Sequence, residues 1–330
     1  MTEQSTRLKR RWLYIPFVVA AVIVFAYYLL WRAGASQMQV AVTDWIEDQR
    51  AAGFVVDHGS IKADGFPFFL RVHIDEAGIA SPDGWRWRTD GLSLDALPYD
   101  LNKLLFSPAG EQLISVEGYG DWRINAGDLR ASIANDDARG WIFAMNIGDA
   151  IATRDDGATL TLGSLVFDLA PDASDITTLT LTLAAAQTKA AIDGEAYTLN
   201  QLQVVTSLSQ MHLLSSNDNG AQWRAGGGEL IITGLFVDIE ETQLSASGEI
   251  SLDPDNHPAG TVTAEIKNPA GLTRMLGKAG ALTHNEAEAA AAGLSLMAFA
   301  GGGKIAAPIE LTDGEAQIAG IKIADLPKVE

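Results

Sequence analysis

Leu179-Thr180-Leu181-Thr182-Leu183 decides the fold class, because its leucines fall on one side of an extended chain and its threonines on the other. Strict alternation of this kind marks a strand with one apolar and one wet face. The pattern recurs on both sides of it. Phe68, Leu70, Val72 and Ile74 alternate with Phe69, Arg71, His73 and Asp75; Leu160 and Leu162 alternate with Thr159 and Thr161; Tyr197 and Leu199 lead into Leu202 and Val204. Period two holds from Phe54 to about Leu208, then resumes after Gly226-Gly227-Gly228 and again around the turn Thr312-Asp313-Gly314. Turn signals punctuate it at Asp64-Gly65, Asp83-Gly84, Asp90-Gly91, Asn125-Ala126-Gly127, Asp156-Gly157 and Asp193-Gly194. Asp-Gly between alternating runs is a strong hairpin cue.

Nearly every predicted strand follows its neighbour directly, so the expectation is an antiparallel meander. About 16 strands at ~4.8 Å spacing would be tens of ångströms wide, and open twisted sheets rarely exceed ~10 strands without curling or splitting. The predicted fold is therefore mainly β: a long, antiparallel, curved sheet forming a meander or groove. If helices cover its apolar face, that face is a core; if they cover it partly, it is a groove for something greasy.

Helices are expected in three places besides the N-terminus. Residues 36–52 put Met38, Val42, Trp45, Ile46 and Gln49 near one face, with Gly53 as the stop. Asn268-Pro269 starts a second helix through Leu272, Met275 and Leu276 to Gly280. A third begins near Thr283, with Glu286 completing a capping box, and ends at Gly301-Gly302-Gly303.

The N-terminus supplies the address. Arg7, Lys9, Arg10 and Arg11 precede an uncharged run, and Arg32 follows it. Residues 13–30 are 18 residues, close to the ~20 a helix needs to cross a ~30 Å hydrocarbon core. Trp12, Tyr14, Tyr27, Tyr28 and Trp31 sit near its ends, where aromatic rings prefer the membrane–water interface. The basic cluster favours the cytoplasmic side. The expected organisation is a cytoplasmic tail (1–12), an inner-membrane span (13–31), a juxtamembrane helix (32–53) and a periplasmic β-rich domain (54–330). The competing reading is a cleaved secretory signal with Ala33-Gly34-Ala35 as its site, although signal cores run to only ~7–15 residues.

Charge narrows the partners. Five of the 23 Lys and Arg lie within residues 1–32, as does Glu3, leaving 18 basic against 41 acidic residues beyond, a net of −23. Nucleic-acid binding requires a basic patch, and nothing here supplies one. The absence of cysteine excludes disulfides, thiolate metal sites and cysteine nucleophiles.

Several short motifs together resemble a known envelope family, catalogued as domain of unknown function 2125. They are Gly53-Phe54, His58-Gly59, Asp64-Gly65-Phe66-Pro67, Gly248-Glu249-Ile250, Gly260-Thr261-Val262, the late two-helix insert, Thr312-Asp313-Gly314 and Asp325-Leu326-Pro327, so the likeness spans roughly residues 10–327. These motifs are structural and imply no activity. More distantly, anchor plus meander is similar to AsmA-like envelope proteins, a likeness that implies a sheet holding lipid acyl chains. Fold alone does not fix function.

No catalytic constellation stands out. His58, His73, His212, His257 and His284 are scattered without H-x-x-x-H spacing, and G-x-S-x-G, S-x-x-K and P-loop motifs are absent. Asp253-Pro254-Asp255-Asn256-His257 resembles half a calcium loop, but Pro258 stands where that loop needs glycine, so a hairpin turn is expected. Neither an enzyme, nor a metal, nor a cofactor is expected. The expected function is a non-enzymatic, membrane-anchored protein that binds or guides lipid through Phe68, Leu70, Val72, Ile74, Leu160, Leu162, Leu179, Leu181 and Leu183. A packed scaffold that recruits proteins is the alternative, and a hydrolase the remote one. Trp45, Trp85, Trp87, Trp122, Trp141 and Trp223 read as core, or else as a rim facing acyl chains.

Overall fold

The computed structural model describes residues 14–192, 195–214, 220–278 and 283–329. The basic cluster 7–11, Trp12, the Asp193-Gly194 turn and Gly280 lie outside the described residues, as do the side chains of Leu272, Met275, Leu276 and Glu286. Strands make up 56% of the chain, which makes it mainly β. It divides into two compact units, Met1–Gly118 and Tyr119–Glu330.

The first unit is built on one helix, α1 (Ile15–Ala51), with Pro16 in its first turn. The expected span and the expected juxtamembrane helix are thus continuous. At 1.5 Å per residue its 37 residues reach ~55 Å, so about 25 Å extends past a ~30 Å hydrocarbon core. Its apolar end is long and greasy enough to cross a membrane, and its most apolar 18-residue stretch has no buried residue. The distal end packs on protein. Ala35 and Ile46 are buried, and Met38 and Val42 lie against Val72, Ile74 and Leu94. Trp45 leaves this face and is 51% exposed. The helix stops in a Schellman arrangement: Phe54 N–H reaches Gln49 C=O, Gly53 N–H reaches Arg50 C=O, and Gly53 takes φ +95°.

Six antiparallel strands accompany α1: β1 (Val55–Asp57), β2 (Ile61–Asp64), β3 (Leu70–Asp75), β4 (Gly78–Ala80), β5 (Trp85–Leu97) and β6 (Asp100–Val116). β5 is the hub, pairing with β3, β4 and β6. Asp90-Gly91, expected as a turn, lies inside β5. The register shifts there, and Asp90 packs so close to Gly110 that no Cβ would fit. The glycine cue marked a bulge rather than a chain reversal.

The second unit runs in sequence order as an antiparallel meander: β7 (Gly120–Asp136), β8 (Gly140–Arg154), β9 (Thr159–Pro171), β10 (Leu179–Ile192), β11 (Glu195–Leu208), β12 (Leu230–Ile239), β13 (Thr242–Leu252), β14 (Pro258–Lys267), β15 (Lys304–Thr312), β16 (Glu315–Ile318) and β17 (Ile321–Asp325). A short helix, α2 (Ala221–Ala225), precedes β12. The Trp223 indole lies over Gly228, where a Cβ would collide with it, and donates to Ser209 C=O at 2.6 Å. α3 (Pro269–Lys278) and α4 (His284–Ala300) separate β14 from β15. α4 buries Leu294 and Ala298 against Val262, Ala264, Ile266, Ile305 and Ile318. Gly301-Gly302-Gly303 caps α4 as expected, with Gly303 N–H on Ala298 C=O.

Leu294 is fully buried at the centre of this cover. Leu294→Ala should cost about 2–5 kcal/mol of unfolding free energy through the cavity it leaves. Denaturant unfolding of the full chain in detergent checks this, and a loss below ~1 kcal/mol would contradict the packing described.

Candidate functional site

The apolar side of the second unit can be followed strand by strand through its register. Ile133, Phe143 and Leu169 stand side by side, then Ala131, Met145 and Phe167, then Leu129, Ile147 and Leu165. β10 continues the rows with Leu181 opposite Leu169 and Leu183 opposite Phe167; β11 adds Val204 opposite Leu183 and Leu202 opposite Ala185. Phe143 and Phe167 pack edge to face at 5.8 Å. Residues on the other side, such as Arg130, Asn146, Asp168, Thr182 and Gln203, are polar.

What covers this face changes along the sheet. Across β14–β16, under α4, Ala264, Ile266 and Ile318 are essentially inaccessible. Within the unit, α4 packs on β14–β17 and α3 on β13. On β8–β11 the larger side chains of this face (Phe143, Met145, Ile147, Leu165, Phe167, Leu181 and Leu183) are only half-buried, although the small Ala150, Ala152 and Ala185 between them are buried; Trp141, two residues before Phe143 on β8, is 63% exposed. That leaves a broad apolar strip on β7–β11 on which, among the described residues of the second unit, neighbouring side chains rather than a helix are the main cover.

One irregularity crosses the strip. Gly127, Asp149, Gly163, Gln187 and Asn200 stand at one level on five successive strands. Asp149 and Gln187 adopt positive φ (47° and 54°). On β7–β10 the apolar positions are odd-numbered on one side of this line (Ile147, Leu165, Leu183) and even-numbered on the other (Ala150, Leu162, Ala190); on β11 the parity is reversed, with Leu202 and Val204 on the first side and Tyr197 and Leu199 on the second. A residue that drops out of the pleat re-phases the alternation and keeps the apolar set on one side. Asn125-Ala126-Gly127, expected as a turn, belongs to this line inside β7.

The expected lipid-contacting residues therefore divide. Leu160, Leu162, Leu179, Leu181 and Leu183 lie on the open strip, with Leu160 37% exposed. Leu70, Val72 and Ile74 are buried under α1 with Ala35, Met38 and Val42, and form a core. Phe68 is not on a strand; it belongs to the loop before β3 and is 72% exposed. Of the expected interface rings, Tyr27, Tyr28 and Trp31 gather around Phe66, Tyr14 is exposed at the start of α1, and Trp12 lies outside the described residues. Among the other tryptophans, Trp223 is core, Trp85 stacks near Phe54, Trp87 donates to Gln112, and Trp122 receives the Arg154 guanidinium at 5.1 Å.

The polar side of the first unit carries a serine–histidine–aspartate row that sequence spacing did not show. His73 Nδ1 lies 3.2 Å from Ser93 Oγ, and its Nε2 lies 3.2 Å from Asp75. Asp75 also accepts from Ser60 and Lys62, which hold its carboxyl below the usual range. Beside it Arg71 grips Asp95 with two hydrogen bonds of 2.5 and 2.7 Å, an ion pair that raises the guanidinium pKa. Ser93 sits in mid-strand between β3 and β6, where neighbouring amides belong to ladders. An oxyanion site needs free N–H donors converging near the nucleophile, and ladder amides do not supply them. No cluster of three or more His, Asp or Glu able to hold a metal occurs among the described residues.

Residues 31–327 match the family described as an uncharacterized protein conserved in bacteria (DUF2125). The chain belongs to this family. No curated protein and no solved structure matches it. The matched region begins at Trp31, where α1 starts to pack on the sheet, and runs to Pro327 beyond β17. The family thus embraces both the core under α1 and the open strip.

The half-calcium loop is a turn. The Asp253 carboxylate accepts N–H groups of His257 and Asp255, both at 2.8 Å. These bonds, the His257 amide foremost, hold its pKa below the ordinary carboxylate value. A depressed folded-state pKa contributes stability above the unfolded value of ~3.9 and loses it as pH falls through the folded value. Asp253→Asn keeps an acceptor but removes the titration. It should be less stable than the parent at pH 7, and the difference should shrink as pH falls through the depressed folded-state value of Asp253. Unfolding of both proteins across pH 2–7 measures this, and a pH-independent difference would contradict it.

Proposed function

We propose that the protein is a single-pass inner-membrane protein whose β domain lies in the periplasm and binds or guides lipid through the apolar strip on β7–β11. The carrying observation is the contrast in cover of the large side chains along the apolar face of the second unit: sealed by α4 over β14–β16, half-exposed on β8–β11. Contiguous exposed apolar surface marks a place where another apolar body binds. The basic residues 7, 9, 10 and 11 before the span favour a cytoplasmic N-terminus. The domain beyond is strongly acidic, so contact with anionic lipid would run through acyl chains rather than headgroup charge. The reading assigns no chemistry to the protein and needs no cofactor.

A scaffold role has one observation in its favour. The outer side of α4 exposes Leu296 (73%) and Phe299 (87%), which suits a protein partner. The hydrolase reading finds only the mid-strand Ser93 row, which lacks oxyanion donors.

Photo-crosslinking amino acids placed in the full chain separate these readings. Probes at Leu181 and Phe167 should yield phospholipid adducts by mass spectrometry, whereas Thr182, on the polar side, should not. Leu181→Asp with Leu183→Asp should retain the β spectrum and lose the adduct at Phe167. Protein adducts without lipid would replace the lipid reading with the scaffold one.

A further inference from the structure

The loop between β2 and β3 reads Gly65-Phe66-Pro67-Phe68-Phe69, uncharged from Gly65 through Leu70. Its rings are turned outward: Phe68 is 72% exposed, Phe69 42% and Phe66 41%. Phe66 nonetheless sits among three rings of α1, with centroids 6.0 Å from Tyr27, 5.4 Å from Tyr28 and 5.5 Å from Trp31. The loop is thereby held at the level where the apolar run of α1 ends and Arg32 begins.

Its backbone is provided for as well. The N–H groups of Phe68 and Phe69 both donate to Gly65 C=O, at 3.1 and 3.0 Å, and Pro67 has none to satisfy. Tyr27 Oη donates to Pro67 C=O at 2.5 Å, and Trp31 Nε1 donates to Phe69 C=O at 2.7 Å. A loop in water needs no such care, because solvent serves its carbonyls. In a medium poor in water each unpaired backbone group is costly. Exposed rings on a loop whose Gly65, Pro67 and Phe69 carbonyls are all bonded, two of them by side chains of α1, suit a segment immersed in the boundary between headgroups and acyl chains.

We propose that Gly65–Phe69 is a second membrane contact, inserting Phe66, Phe68 and Phe69 into the non-cytoplasmic leaflet of a phospholipid bilayer beside α1. The inference rests on α1 being a membrane span. Its occupant follows from continuity: the loop shares hydrogen bonds and ring contacts with Tyr27, Tyr28 and Trp31, the residues that close the span. A lone helix leaves a domain free to roll about the helix axis. A loop inserted beside it fixes which side of the first unit faces the lipid.

The chain has no cysteine, so single cysteines can report depth without further changes. Val22→Cys, Phe68→Cys, Phe69→Cys and Asp48→Cys, each carrying an environment-sensitive fluorophore, are reconstituted as full chains in phosphatidylcholine–phosphatidylglycerol vesicles. Quenching is read with spin labels placed high or low on the lipid acyl chain. Val22 should be quenched by the deep label. Phe68 and Phe69 should be quenched by the shallow label, several-fold more than Asp48, about 25 Å further along α1 than Trp31. Phe68 and Phe69 both behaving like Asp48 while Val22 is quenched would overturn the loop contact and leave the span intact. An unquenched Val22 would overturn the span and the loop together.

Discussion

The strands of each unit make an apolar surface that calls for a cover, because apolar area left in water costs about 25 cal/mol per Å². The rest of the structure depends on how this demand is met. In the first unit, α1 lays Ala35, Met38 and Val42 on Leu70, Val72, Ile74 and Leu94. In the second, α4 lays Leu294 and Ala298 on β14–β16. The first helix precedes all the strands and folds back on them, whereas α4 is inserted between β14 and β15. Among the described residues of the second unit no such helix lies on the strip of β7–β11, and its larger side chains remain half-open. The functional reading follows from that uneven distribution of cover rather than from any reactive group.

Using α1 as a lid has a second consequence. The helix that seals the core of the first unit is the same helix that carries the apolar span, with no break between them. Removing the N-terminal residues through Ala35 would therefore remove Trp31 and Ala35 from the core around Leu70 and Ala96. The apolar end of α1 and the first unit are joined by packing as well as by chain connectivity, through Trp31 and Ala35 on Leu70 and Ala96.

Much of this was legible in the sequence, and the misreadings share a cause. Period two located the strands, and Asp83-Gly84 and Asp156-Gly157 do reverse the chain. Asp90-Gly91 and Asn125-Ala126-Gly127 carry a similar local signal yet sit inside strands, because glycine answers equally to a tight turn and to a bulge. Alternation also tells which face is apolar without telling what lies over it. That is why Leu70, Val72 and Ile74, covered by a helix more than twenty residues upstream, read the same as Leu179, Leu181 and Leu183, which no helix covers. Phe68 extended the alternating register of β3 on paper, but Pro67 and the Gly65 carbonyl hold it in a loop. The Ser93–His73–Asp75 row was invisible because cross-strand register, not spacing, brings it together.

The line from Gly127 to Asn200 shows how the strip stays whole. In a strand pleated without interruption, Leu162 and Leu165 would point to opposite faces, since they are an odd number of residues apart. The register places Leu162 beside Ala150 and Leu165 beside Ile147, with Gly163 between them opposite Asp149. Every strand from β7 to β11 gives up one residue at that level, so their pairing is preserved while the alternation slips. Gly163 leaves room for this: a Cβ there would stand 2.9 Å from that of Gln187, which takes the same step on β10 at φ 54°. The line ends at β12, where Asn200 has no opposite residue because Leu199 pairs Ile239 and Gln201 pairs Asp238. The concerted slip thus spans the strands that carry the open strip, and it gives both halves of each long strand to the same apolar surface.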